Sequence, residues 1–383
     1  MNRFIENWIK QWQQLLRLFG SYGSRFVSSL FDNYSQLWFS LYLERSKRER
    51  KLKRVSQQLL LFLVVVIISA CGGAAIDHSK LPNSEAPSTD CRIVQHAIGQ
   101  TCVPHNPQRV VTVVHHILGH LLALGIKPVG SNVRSLEQAS GDYLDIQTYM
   151  GDKTEGIELL GINNQVNLEK VSTLKPDLIL GWEASQMNYS LLSQIAPTII
   201  LRAEDVVSKW KEGFTFIAEA LGKEKEARQA LDKYSQRIEE AKAFLGDRYQ
   251  NQTISVTGSN GSNMYAFTQN SFSGSILNDL SLQRPEAQRV NATGGAIYNL
   301  SEERLEQVID GDVIFFLEFG QESETTFERL QQRPLWKKLK AAQKGQVYLV
   351  NGNTWTGSNL LAADAVIDDL LKYLTDNPKL GNS

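Results

Sequence analysis

Apolar and polar positions change period along this chain, and the changes outline its elements. From Arg109 onward, short β-branched runs alternate with helical stretches. Residues 110–114 read as a strand, and a helix through 117–124 stops at Gly125. Pro128-Val129-Gly130 opens a second strand. Beyond a polar stretch come a short helix at 167–174 and a buried strand at 177–180 that ends at Gly181-Trp182. A helix at 185–195 and a strand at 198–201 complete this half. Short apolar strands alternating with helices predict a mainly parallel sheet covered on both faces.

The texture then changes. Residues 207–246 contain no proline and are rich in helix formers. Gly222 breaks the run once and leaves a long helix over 223–245, with Ala227, Leu231, Tyr234, Ile238, Ala241 and Leu245 along one face. After it the alternation restarts, with strands at 253–257, 264–267, 313–317 and 347–350 and a closing helix at 359–374. The predicted fold is α/β: two Rossmann-like lobes with mainly parallel sheets, joined by one long α-helix. The domains are then an N-terminal lobe at 91–206, a connecting helical region at 207–246 and a C-terminal lobe at 247–383.

Ahead of the first lobe, residues 59–70 are wholly apolar or small and follow the basic run 47–54. Twelve residues as a helix cover ~18 Å, short of a ~30 Å hydrocarbon core. A basic stretch, a short apolar stretch and small residues before a boundary are the layout of a signal peptide. The boundary Ile68-Ser69-Ala70-Cys71 resembles a bacterial lipobox, which makes Cys71 the lipidated first residue of the mature chain. The other reading is a stop-transfer anchor with Cys71 merely buried. Residues 72–90 are rich in Gly, Ser, Pro and Asp and read as a flexible tether of roughly 25 Å reach. Within 4–43, Ile5, Trp8, Ile9, Trp12, Leu15, Leu16 and Phe19 recur at helical spacing. That segment reads either as a membrane-surface helix or as an over-long start to a cleaved signal; residues 1–70 are taken together as extension and signal. In an oxidising envelope Cys91 and Cys102, which flank a strand, a turn at Gly99 and a returning strand, are expected to form a disulfide worth about 3 kcal/mol.

Composition narrows the function. The 383 residues are 42% hydrophobic and 21% charged, too polar for a protein of many membrane spans. The net charge of −1 hides a split: residues 1–70 hold 11 basic and 4 acidic residues, so the remainder is acidic. An acidic body argues against nucleic acid as a partner. Three cysteines without CxxC spacing do not suggest a zinc site. No GxxxxGK[ST], GxSxG, HExxH or GxGxxG sequence occurs, so a nucleotide site and the common hydrolase sites lack support.

Several short motifs occur in order. Pro107-Gln108-Arg109-Val110-Val111 is followed by Leu122-Ala123-Leu124-Gly125-Ile126-Lys127-Pro128-Val129-Gly130. Next come Asn167-Leu168-Glu169-Lys170 and Leu174-Lys175-Pro176-Asp177-Leu178-Ile179. The second half adds Asn299-Leu300-Ser301-Glu302-Glu303-Arg304-Leu305, Pro334-Leu335-Trp336, Asn353-Thr354-Trp355 and Ala362-Ala363. This series, over roughly residues 107–372, resembles the periplasmic binding proteins for iron-siderophores and cobalamin that serve ABC importers. The Asn-Thr-Trp ending is most similar to the ferric-dicitrate and hydroxamate branch. The resemblance implies a class III periplasmic binding protein: a monomer that holds a ferric siderophore in the cleft between its lobes. It implies no enzymatic activity and no intrinsic cofactor, iron arriving only inside its chelate. Its partners would be the permease dimer of the importer and, through the lipid, a membrane facing the periplasm. The alternatives are a receptor for bare metal, heme or cobalamin in the same fold, or a metal-chelatase-like enzyme.

In the family, acids at the positions of Glu169 and Glu303 pair with permease arginines; the plainer reading is two solvated acids at helix N-termini. Ligand residues are expected on loops at the carboxyl ends of strands. In the first lobe these offer His115, His116, Arg134, Trp182, Glu183 and Arg202; in the second, Ser259, Asn260, Tyr298, Phe319 and Trp355. Aromatic faces suit apolar parts of a siderophore, and arginine suits its anionic oxygens, with Arg134 the first candidate and Arg202 the second. Of these, Arg134, Trp182, Arg202, Asn260, Tyr298, Phe319 and Trp355 form the expected ligand set. His116 and His120, four apart on one helix, raise the separate prospect of direct metal ligation.

Overall fold

A computed structural model describes residues 91–133, 149–162, 165–183, 188–260, 263–319 and 327–375. The residues expected to form a signal and a tether, together with Cys71 and Arg134, lie outside these residues. The described chain opens on a hairpin, β1 (Cys91–His96) and β2 (Gly99–Pro104), closed by a disulfide between Cys91 and Cys102 whose Cα atoms are 5.5 Å apart.

The first sheet contains β3 (Val110–Thr112), β4 (Gly130–Val133), β5 (Glu158–Ile162), β6 (Gln165–Val166), β7 (Leu178–Trp182) and β8 (Thr198–Leu201), in the order β6-β5-β4-β3-β7-β8. All neighbours are parallel except β5 and β6. Strands β3, β4 and β8 are buried along their whole length, which is why they read as unbroken apolar or small runs instead of alternating ones. The hairpin runs beside β8. Ala97, at its turn, donates to the carbonyl of Ile200 at 2.9 Å, and Thr101 donates to that of Thr198 at 2.8 Å. Cys91 and Pro104 therefore lie beyond the start of β8, at the amino ends of the parallel strands. Arg92 fastens the hairpin further by donating to the Ala220 carbonyl at 3.0 Å.

Helices α1 (His115–Ala123), α2 (Leu168–Thr173), α3 (Tyr189–Ile195) and α4 (Ala203–Val207) connect these strands or follow them. The helical region is two helices. The first, α5 (Trp210–Leu221), ends at Gly222, whose φ of 66° only glycine adopts without strain. The second, α6 (Glu224–Leu245), is 22 residues long, about 33 Å. Its buried stripe is Ala227, Tyr234, Ile238, Ala241 and Leu245, with Leu231 half-buried beside it.

The second sheet has β9 (Ile254–Asn260), β10 (Asn263–Phe267), β11 (Ala296–Leu300), β12 (Val313–Glu318) and β13 (Val347–Asn351), in the order β11-β10-β9-β12-β13. Strands β9, β12 and β13 are parallel, whereas β10 runs against both β9 and β11. Helices α7 (Phe272–Asp279), α8 (Glu302–Ile309), α9 (Lys340–Lys344), α10 (Gly352–Trp355) and α11 (Leu360–Thr375) complete the lobe. The lobes repeat a detail at their bases. Asp177 accepts the backbone N–H groups of Gln108 and Arg109 at 2.6 and 2.9 Å, tying β7 to the start of β3. Asp312 does the same for the N–H and hydroxyl of Thr253, tying β12 to the start of β9.

The two lobes share an interior. One apolar cluster runs from Val111 and Leu180 through Phe214, Ile217 and Tyr234 to Ile254, Phe315 and Leu370. A second cluster, with Met264, Leu305, Phe316 and Trp336, covers the other face of the second sheet. Polar links reinforce the joint. Trp210 donates to the Ser275 hydroxyl at 2.9 Å, Tyr234 donates to Asp279 at 2.6 Å, and Lys211 pairs with the same carboxylate. From the other side, Asn359 donates to the Tyr149 hydroxyl at 3.2 Å and Ser358 to the Val207 carbonyl at 3.2 Å.

Candidate functional site

The carboxyl ends of the parallel strands carry most of the expected ligand residues, because there the chain leaves the sheet and its side chains no longer serve the core. After β3 the chain enters α1 with His115 and His116, both half-buried, their ring centroids 3.9 Å apart. Trp182 ends the neighbouring strand β7, half-buried and 6.1 Å from the His116 ring. These three rings form a continuous aromatic surface across two strand ends. His120 does not join it. That ring is buried 5.4 Å from Phe214, so His116 and His120 do not present a shared metal-binding face to solvent. No group of three His, Cys, Asp or Glu side chains suited to a metal occurs among the described residues.

Arg202 follows β8 and sits within a network of acids. Its Nε and Nη2 donate to the two oxygens of Asp205 at 2.7 and 3.0 Å, and Nη1 lies 3.3 Å from Glu204. Hydrogen bonding to Asp205 first, then that residue's charge and those of Glu204 and Glu183, raise the Arg202 pKa above its ordinary value. Glu183 is engaged too, accepting the Ala203 N–H at 2.8 Å.

In the second lobe Tyr298 stands on the edge strand β11, 58% exposed, and not on a loop as expected. Its ring lies 5.9 Å from Tyr265, which meets Phe267 edge-on at 5.5 Å. Tyr265 is the residue that sequence reading missed, since it is hidden inside an ordinary strand pattern. Its ring passes over Gly258 on β9, where a Cβ would lie 2.7 Å from the hydroxyl oxygen. Glycine at 258 was the available signal. Ser259 is buried at the end of β9, and the Asn260 side chain lies outside what is described. Phe319 follows β12, half-buried, with its ring against Gly352.

Trp355 corrects the expectation. It has no exposed surface, stacks on Phe315 at 4.7 Å and donates its indole N–H to Asp369 at 2.8 Å. Burial is the main cause that raises the Asp369 pKa, with the Trp355 hydrogen bond opposing it. Helix α10 turns this indole inward, so the Asn-Thr-Trp segment contributes packing and not a ligand surface.

Glu169 and Glu303 are both exposed, each in the first turn of its helix. Asn167 caps α2 by accepting the Lys170 N–H at 3.0 Å. Hydrogen bonds from Ser301 and from its own backbone N–H hold the Glu303 carboxyl below its ordinary pKa. Each lobe thus displays one exposed acid at the start of the helix that follows an edge strand.

A family profile described as periplasmic binding protein matches residues 121–354. The probable siderophore-binding lipoprotein YfiY of Bacillus subtilis (strain 168) is 31% identical over 332 residues, covering 84% of this chain and 98% of the relative. The Fe(3+)-citrate-binding protein YfmC of the same organism is 29% identical, covering 84% and 96%. Among solved structures, Staphylococcus aureus SirA complexed with staphyloferrin B matches with a TM-score of 0.64 and 28% identity, covering 74% of this chain and 98% of that one.

Proposed function

This chain belongs to the periplasmic binding protein family, and we propose that it captures a ferric siderophore and delivers it to the permease of an ABC importer. It is a binding protein and not an enzyme. The observation that carries the reading is the aromatic lining at the strand ends of both lobes. His115, His116 and Trp182 supply it in the first lobe, and Tyr265, Tyr298 and Phe319 in the second. Such faces pack on the organic shell of a chelate, and the iron needs no protein ligand because its chelator already wraps it.

Arg202 lies at the rim of this lining, and Arg134 and Asn260 belong to it by their places in the sequence. Glu169 and Glu303 are the contacts to the permease, one from each lobe. Cys71 carries the lipid that holds the receptor in the cell envelope. The test is a titration of intrinsic fluorescence with ferric siderophores. Trp182 is half-buried at the strand ends while Trp210, Trp336 and Trp355 are buried, so Trp182 is the reporter. Quenching is expected, and Trp182→Phe should remove most of it. The reading fails if no ferric chelate changes the emission or is retained on gel filtration.

A further inference from the structure

The acids around Arg202 ask for an explanation beyond capture of a chelate. A guanidinium at a ligand rim is the side chain best shaped to grip carboxylates two bonds at a time. Here that fork is already filled by Asp205. Asp205 is 6% exposed, and its place is built into the fold. Helix α5 passes so close that a Cβ on Gly213 would lie 2.0 Å from the Asp205 carbonyl oxygen. Glu204 adds a second carboxylate at 3.3 Å and is itself held by Lys209 at 3.0 Å. With Glu183, whose charge also acts on Arg202, three acids stand against Arg202 and Lys209, so the group carries a net negative charge while the Arg202 side chain remains 57% exposed. A chelate rich in free carboxylates would have to break a bidentate pair and face both released acids. A chelate of low net charge would meet only the aromatic lining.

We propose that Asp205 sets ligand selectivity by withholding Arg202, so that the receptor prefers a ferric chelate of low charge, of the hydroxamate type, over a ferric polycarboxylate. The proposal rests on the capture function above. Two probes test it with the full chain at pH 8, where histidines are ordinarily uncharged: a ferric trihydroxamate and ferric dicitrate, followed by fluorescence. The wild type is expected to bind the trihydroxamate at least tenfold more tightly. Asp205→Asn, which keeps one hydrogen bond but removes the charge, should tighten dicitrate binding at least fivefold and leave the trihydroxamate within twofold. Glu204→Gln, at an exposed position, removes the second acid and should also tighten dicitrate binding, by at least twofold, so the point can still be read should the Asp205 variant fold poorly. Equal or tighter binding of dicitrate by the wild type overturns the proposal. So does an unchanged preference in folded Asp205→Asn or, should that variant not fold, in Glu204→Gln. Binding of neither chelate by the wild type would instead remove the capture function on which the proposal stands.

Discussion

A neutral imidazole stands inside the joint between the lobes. His120 is 1% exposed, and burial pushes its pKa down to about 3, with His116 adding to the effect and a Ser358 backbone hydrogen bond opposing it. In the unfolded chain the same group titrates at about 6.5. Between those two values the unfolded chain takes up a proton that the folded chain refuses. Stability is therefore full above the unfolded pKa and falls as pH drops through this window, by on the order of 1.4 kcal/mol per pH unit at most. Thermal melts of wild type and His120→Leu between pH 7.5 and 4.5 check this. The wild type should lose stability on acidification more steeply than the variant; parallel curves would show that His120 is not the group responsible. The position was visible in the sequence as one of three close histidines, but its burial was not, because residue spacing along a helix does not say which neighbours arrive from the other lobe. Trp355 was misplaced for the same reason. Its motif marked it, yet the choice between core and surface was made by α11, which brings Asp369 to its indole.

The elements divide by how completely they are buried. Strands β3, β7, β8, β12 and β13 were legible because apolar runs bounded by Gly, Pro or Asp leave few alternatives. Strands β5, β6 and β11 were not: β5 is interrupted by Gly161, β6 is only two residues long, and β11 exposes Tyr298 and Asn299 at its middle. The long helix was legible from its stripe and from Gly222, which stops α5 just ahead of it. Its neighbour α11 carries a contact that no periodicity announces. A Cβ on Gly119 of α1 would lie 2.3 Å from the Asn359 side chain at the start of α11. In a free helix Gly→Ala stabilises by roughly 0.5–1 kcal/mol. Here Gly119→Ala should instead destabilise by about 1–3 kcal/mol through overpacking, read as a lower urea midpoint with an unchanged slope. A rise in the midpoint would mean that the close approach of α1 to Asn359 is wrong.

At the scale of the molecule, two sheets of like design share one interior, which the sequence reading of two lobes and a rod did not contain. The difference arises because α5, α6 and the residues leading into α11 bury side chains against both halves, through Trp210 and Tyr234 on one side and Ser358 and Asn359 on the other. Such a joint favours small adjustments over wide opening, which, on the docking role proposed for Glu169 and Glu303, keeps the two acids at one spacing. Glu169→Ala with Glu303→Ala should then abolish siderophore uptake by cells while ligand affinity in the purified protein stays within twofold. A matching collapse of affinity would assign these acids to the ligand site or the fold instead.

The hairpin adds a consequence of its own. Because Cys91 lies beyond the amino ends of the first sheet, the described chain begins at the heel of that sheet, on the side away from the strand end that carries Trp182. Any attachment made through that end would leave those strand ends facing away from whatever holds it.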